Sequence, residues 1–290
     1  MSEENCYYVS SHGLIKSCKF AISSFSNPNI PFEVARLKKG ELLYLDANLV
    51  KKFYESYWQY VKEPIVLVSG NQDINFTDIN EYNALLESKN LIAWYSQNMC
   101  ITHTKCKNIP IGLDYHTLFG HIGMEHPWGR GVLPIVQENY LKQIITLKKP
   151  WAERYPAAFC NWHFFADRGD RKEVLEKADK NSLYLVPKYQ NRNDTWVLQT
   201  QFAFVCSPSG GGLDCHRTWE ALCLGCVPII KTSKMDPLFN DLPVWIVKDW
   251  SEVTAEACHY KKTEFSLKQD LFASKNLSLT YWVNLMKTAT

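Results

Sequence analysis

The stretch that decides the fold is residues 202–228, FAFVCSPSGGGLDCHRTWEALCLGCVP. Residues 202–206 are a short apolar run of aromatic and β-branched side chains, the composition of a buried strand. Gly210, Gly211 and Gly212 follow, and three glycines let a backbone turn sharply and come close to a ligand. Asp214 suits a helix N-cap, because its carboxylate can accept from the free N–H groups of a first turn. Trp219, Ala221, Leu222 and Leu224 continue the helix to Gly225, a C-terminal stop. A helix start behind a glycine loop draws anions, since unpaired N–H groups and the dipole point out of it. Arg217 adds a fixed positive charge there, and Glu220 lies one turn along the same face. The segment reads either as a site for a phosphate-bearing ligand or as an ordinary strand–loop–helix connection with a solvated helix start. It is neither a Walker loop nor a dinucleotide fingerprint, because both glycine spacings are absent.

Outward from this stretch, strands and helices alternate, which argues an α/β architecture. Residues 65–68 predict a buried strand ending in a Ser-Gly-Asn loop. Residues 78–88 then read as a helix, 91–95 as a strand and 108–112 as a short strand and turn. Residues 115–135 read as loop, with Gly120, Gly123, Gly129 and Gly131. The segment 136–147 is helical in pattern, and Lys148-Lys-Pro150 marks a boundary. Beyond it come strands at 157–162, 183–186, 229–230 and 244–247, helices near 170–178 and 195–201, and a final helix over 266–288. The division is therefore 1–150, 151–265 and a C-terminal segment 266–290.

SPSGGGLDCHRTWEAL, followed by GCVPII and DLPVWIVKDW, resembles the C-terminal signature of exostosin-like glycosyltransferases. The shared pattern is a Ser-Pro-x-Gly run, an Asp-x-His-Arg-x-x-Glu-Ala-Leu helix, a Gly-Cys-x-Pro strand entry and a later Leu-Pro. It covers residues 202–250, and weaker likeness extends to LVSGNQD at 67–73 and NIPIGLD at 108–114. Size and aromatic content are also similar to small xylosyltransferases of chlorella viruses. The resemblance implies a GT-B-like fold, two facing Rossmann-like domains with a cleft between them. The first domain would bind the acceptor and the second the nucleotide sugar, and the C-terminal helix would cross back to the first. It implies inverting transfer from a UDP-sugar, first of all UDP-xylose, onto a hydroxyl of an oligosaccharide or glycoprotein. The alternative on the same scaffold is a non-catalytic carbohydrate- or nucleotide-binding protein.

No Asp-x-Asp occurs in the chain, so the expectation is transfer with no metal and no other cofactor. Cations and helix-terminal N–H groups would then stabilise the leaving diphosphate, acting on charge as it develops. Arg217 is the first candidate, with Arg171 and Arg168 across the cleft mouth, since a guanidinium fork can bind two phosphate oxygens at once. Both latter arginines also read as a solvated helix start. Ser207 and Ser209 are further donors or mere turn hydroxyls. His216 completes the donor set with Asp214 and the three glycines. Glu220 resembles the carboxylate that holds ribose hydroxyls in transferases of this fold, or else it is a surface charge. Inversion needs a base for the acceptor hydroxyl, and ligands of open α/β sheets sit beyond the carboxyl ends of strands. Asp73 lies there, after the strand at 65–68. Asp114, His116 and His12 are its rivals, His12 standing in a possible strand-to-loop turn.

Composition narrows the partners. The net charge of +2 advertises neither nucleic acid nor an anionic membrane. No basic-then-apolar leader opens the chain and no apolar run approaches 18 residues, so neither a signal peptide nor a membrane span is expected. Ten cysteines without a leader then fit reduced thiols in a cytoplasm, the host's if the protein is viral. Cys223 and Cys226 form a lone CxxC with no second ligand pair at zinc-site spacing.

Overall fold

Residues 65–70, IVLVSG, are all buried, which requires a sheet covered on both faces. The computed structural model of the chain describes residues 2–162, 167–187 and 190–289, and it contains two such sheets. The first is built from β1 (Phe20–Ile22), β2 (Leu42–Asp46), β3 (Ile65–Gly70), β4 (Leu91–Ser96) and β5 (Cys106–Asn108), all parallel and in sequential order. Each crossover runs in the same direction, so the right-handed rule puts the connecting helices on one face. These are α2 (Ile30–Ala35), α3 (Val50–Tyr57) and α4 (Ile79–Leu86), packed against Leu43, Leu45, Leu67 and Trp94. The opposite face, with Leu42, Tyr44, Val66 and Val68, is covered by both chain ends, through α1 (Ser11–Lys16) and α11 (Leu279–Lys287).

Between the sheets the chain passes through α5 (His116–Phe119), the two-residue strands β6 (Glu125–His126) and β7 (Gly129–Arg130), and α6 (Pro134–Leu147). The second sheet contains β8 (Tyr155–Cys160), β9 (Leu183–Leu185), β10 (Phe202–Cys206), β11 (Val227–Lys231) and β12 (Trp245–Val247), in the order β12-β11-β10-β8-β9. Its helices are α7 (Arg171–Lys177), α8 (Arg192–Gln199), α9 (His216–Cys223) and α10 (Ala255–Ser266). The order reverses between β8 and β10, the topological switch of a doubly wound sheet. The fold is thus α/β and GT-B-like, two Rossmann-like layers of parallel sheet and helix facing one another. One apolar cluster joins them, running from Val66 and Tyr95 to Phe159, Phe202, Val205 and Trp219.

Several sequence expectations are corrected. The final helix over 266–288 is instead the end of α10 at Ser266, two 3-10 turns and α11; Ser278 caps α11 by accepting from Tyr281 N. The loop expected at 115–135 contains α5 and the β6–β7 hairpin, whose two-residue strands are too short for a periodic signal. The strand expected at 108–112 is β5, ending at Asn108; beyond it Gly112, at φ +67°, makes an isolated bridge to Ser10. His12 sits on α1 behind the N-cap Ser10, and not in a strand-to-loop turn; the first strand begins only at Phe20. All ten cysteines are free thiols.

Candidate active site

The switch point positions the site. Asn161 and Trp162 lie beyond the carboxyl end of β8, and the glycine loop lies beyond that of β10. Ligands of open α/β sheets bind at this crevice. Here it is a cleft of about 630 Å³ between the two sheets, reached by Asp73, Ile111 and Asp114 from the first half.

Three arginines line the cleft together with the glycine loop on the second half's side. Arg217, in the first turn of α9, donates from Nε to Asn161 Oδ1 at 2.9 Å, and its guanidinium lies 5.7 Å over the Trp162 ring. Its Nη1 is buried without a hydrogen-bond partner among the described residues. Arg171 opens α7, and its Nη2 would stand 3.0 Å from a Cβ at Gly210. Burial, then the charges of Arg217 and Arg168, hold its pKa below the ordinary arginine value. Such crowding of like charges favours an anion between them. The start of α9 has no side-chain cap, so its first N–H groups add to that preference.

A second set of charges lines the opposite wall. Arg192 is buried at the start of α8, between Trp128 at 5.1 Å and Trp196 at 5.5 Å. Its Nη1 donates to Gln137 Oε1 at 2.8 Å, its Nη2 is 3.6 Å from Asp114 and its Nε 3.9 Å from Glu220. Burial raises the pKa of Glu220, and Arg192 opposes the rise. Asp114 is also buried, yet His216, Arg192, His116 and the Thr117 N–H outweigh burial and hold it well below the carboxylate range. A group so strongly ionised is a poor proton acceptor.

The glycine loop departs from its reading. Gly210, Gly211 and Gly212 are not in the left-handed region, so no sharp turn demands them. They permit close approach, but largely by protein. A Cβ on Gly211 would collide with the Asp73 carboxylate, and one on Gly212 would lie 2.6 Å from Asn98 Nδ2. Nor is Asp214 the N-cap, since α9 begins at His216 and its cap is Cys215. Its buried carboxylate instead accepts from Ile111 N at 2.7 Å and from Trp219 Nε1, tying the loop to the first half. Burial pushes Asp214 up to about 7. His216 Nδ1 meets Gly112 O at 2.7 Å in the same seam. Ser207 is buried against Thr218 at 2.8 Å, and Ser209 is bonded through N and Oγ to Asp170, so these hydroxyls shape the loop and do not line the cleft.

Of the four candidate bases, Asp73 and Asp114 line the cleft, while His12 and His116 stack on each other at 4.5 Å outside it. Asp73 is exposed and faces the glycine loop. Arg168 also reaches the cleft, from the loop before α7. Sequence reasoning passed over Arg192, Asn161, Trp162 and Trp128. Two of these were findable, because Asn161 and Trp162 directly follow a strand of the signature half.

No protein-family model and no curated protein sequence matches the chain. Among solved structures it is similar to a UDP-forming α,α-trehalose-phosphate synthase from Burkholderia xenovorans at TM-score 0.45 and 10% identity, over 89% of this chain and 75% of that one. An apo structure of OtsA gives 0.42 and 13%, over 88% and 74%. An E. coli trehalose-6-phosphate structure bound with UDP-2-fluoro glucose gives 0.38 and 12%, over 89% and 76%.

Proposed function

We propose that the chain is an inverting glycosyltransferase that moves a sugar from a nucleoside diphosphate onto a glycan hydroxyl. The observation that carries this reading is the arginine cluster at the switch point, above all the buried, unpartnered Nη1 of Arg217. A diphosphate placed there receives the Arg217 fork, Arg171 and the open start of α9, all of which bind more strongly as negative charge grows on the leaving group. Glu220, one turn along α9, would accept ribose hydroxyl hydrogen bonds while Arg192 holds it in place. Asp73, on the facing half, takes the proton of the attacking hydroxyl. It needs no raised pKa, because that hydroxyl becomes acidic only as the sugar bond forms. UDP-xylose is the first donor to test, and that choice rests on the family resemblance. The proposed compartment is the cytoplasm.

The test is product formation from UDP-xylose and simple glycan acceptors, with the anomeric configuration read by NMR. An inverted product supports the proposal; donor binding without transfer or hydrolysis to any acceptor would favour the non-catalytic binding protein. Because arginines stand where other folds place a metal on the diphosphate, transfer is expected to continue with EDTA present. Loss of activity restored by Mn²⁺ or Mg²⁺ would overturn that part.

A further inference from the structure

Behind the cleft wall, two polar groups are left poorly satisfied. Glu3 is 1% exposed, and neither of its carboxylate oxygens makes a hydrogen bond of ordinary geometry among the described residues, although the Ser10 hydroxyl and the His12 N–H stand near it. His116 Nδ1 is buried and likewise makes none, although Asp114 Oδ1 is 3.3 Å away. A buried carboxylate with such weak donors is costly, and native structures compensate it with a charge or a metal. His12 is the third member, its Nδ1 3.8 Å from Glu3 Oε1 and its ring stacked on His116 at 4.5 Å. One ligand atom from each of Glu3, His12 and His116 lies within 4.8 Å of the other two.

We propose that Glu3, His12 and His116 form a binding site for a divalent transition-metal ion, with zinc the ion of choice. Two imidazoles and one carboxylate are a zinc donor set, whereas calcium and magnesium take oxygen ligands. Zinc bonds of about 2.0–2.2 Å put ligand atoms near 3.4 Å apart in a tetrahedron. The three groups therefore close on the ion by side-chain rotation, which also tilts the stacked rings apart. Asp114 beside His116 stands where an outer carboxylate orients a ligating imidazole. A neighbouring triad, Asp114, His116 and His216, meets the same distance criterion. It is the poorer site, because Asp114 already accepts from Thr117 N and Oγ1 and faces the fixed charge of Arg192. The ion would join the N-terminal segment, α1 and α5, and so stiffen the wall that carries Asp114. Glu3, His12 and His116 do not line the cleft, so the site stands or falls apart from the transferase reading.

The test uses the full chain, stripped with a chelator and then given zinc alone. We expect close to one zinc per chain after gel filtration, measured by elemental analysis, and a rise in Tm of several degrees, since a ligand of the native state adds stability. Glu3→Gln and His12→Asn should each lose zinc and the Tm rise while keeping the wild-type circular dichroism; His12→Asn serves if Glu3→Gln does not fold. His216→Ala and the double thiol variant Cys223→Ser/Cys226→Ser should keep the ion. Cobalt in the same site should give the intense visible absorption of a tetrahedral ion in the wild type, absent in His12→Asn. No zinc above buffer in the wild type, or zinc retained by both Glu3→Gln and His12→Asn, would overturn the site. So would zinc lost only from His216→Ala.

Discussion

Arg217 is gripped on two sides and open on a third, through Asn161, Trp162 and a buried Nη1. Removing such a charged donor costs about 1.5–3 kcal/mol of anion binding, so Arg217→Ala should weaken nucleoside diphosphate affinity by roughly 10- to 150-fold in calorimetry. Affinity unchanged from wild type would move the donor site elsewhere. Asp73→Asn is a different experiment, since it keeps shape and removes basicity. It should bind donor nearly normally and lose about 10²–10⁴ in transfer rate; turnover near wild type would overturn Asp73 as the base. Arg217, Glu220, Arg171 and Asp73 are legible in the sequence because each follows a strand end within a segment of readable pattern. Arg192 is not. It opens a helix after a polar stretch, and its neighbours Trp128, Gln137 and Asp114 all come from the other side of the chain's midpoint. Only tertiary structure makes it a buried cation between two carboxylates.

At the scale of elements, the glycine loop has two readings, and packing decides between them. Sequence correctly suggests that something approaches the backbone closely, because glycines without side chains have few other uses in such a run. It does not say whether that something is ligand or protein. At Gly212 it is the amide of Asn98, a buried residue at φ +53° whose Oδ1 accepts from Asp214 N at 2.9 Å. At Gly211 it is the exposed Asp73 carboxylate, which can swing aside. Gly212→Ala should therefore destabilise by about 1–3 kcal/mol as an overpacked contact, read as a lower urea midpoint. Gly211→Ala should cost well under that, while disturbing Asp73 and hence turnover. Equal effects on stability would show that Asn98 is as free to move as Asp73. The long elements are readable from apolar runs such as 65–70 and 202–206. The β6–β7 hairpin and the short turns near residue 270 are not, since two-residue strands and single 3-10 turns are too short to leave a periodic pattern.

For the whole molecule, the seam between the halves matters as much as either half. A shared apolar cluster crosses it, and over it lie Asp214 to Ile111, Asn98 to Asp214 and His216 to Gly112. Domains joined this way do not swing freely; what movement there is must break the polar contacts at the cleft side. Asp214 makes that side sensitive to pH. Burial raises its carboxyl from 3.8 to about 7 in the folded chain. The folded state therefore holds a proton that the unfolded state has released between about pH 4 and 7, and stability must fall as pH rises through that window. The loss is complete once pH passes the folded value, where the carboxylate is ionised in both states. Thermal unfolding should accordingly show Tm declining between pH 5 and 7.5, at ~2–4 °C for each kcal/mol in a chain somewhat smaller than this one. Asp214→Asn has no proton to lose. It should be less stable at low pH, because one oxygen must serve Ile111 and Trp219 together, but its Tm should vary less over the same range. Glu3, whose carboxyl burial also raises to about 7, and the histidines titrate over this range in both proteins and so cancel in the comparison. If wild type and Asp214→Asn show the same slope of Tm with pH, the carboxyl of Asp214 is ionised in the folded seam and its two donors outweigh its burial.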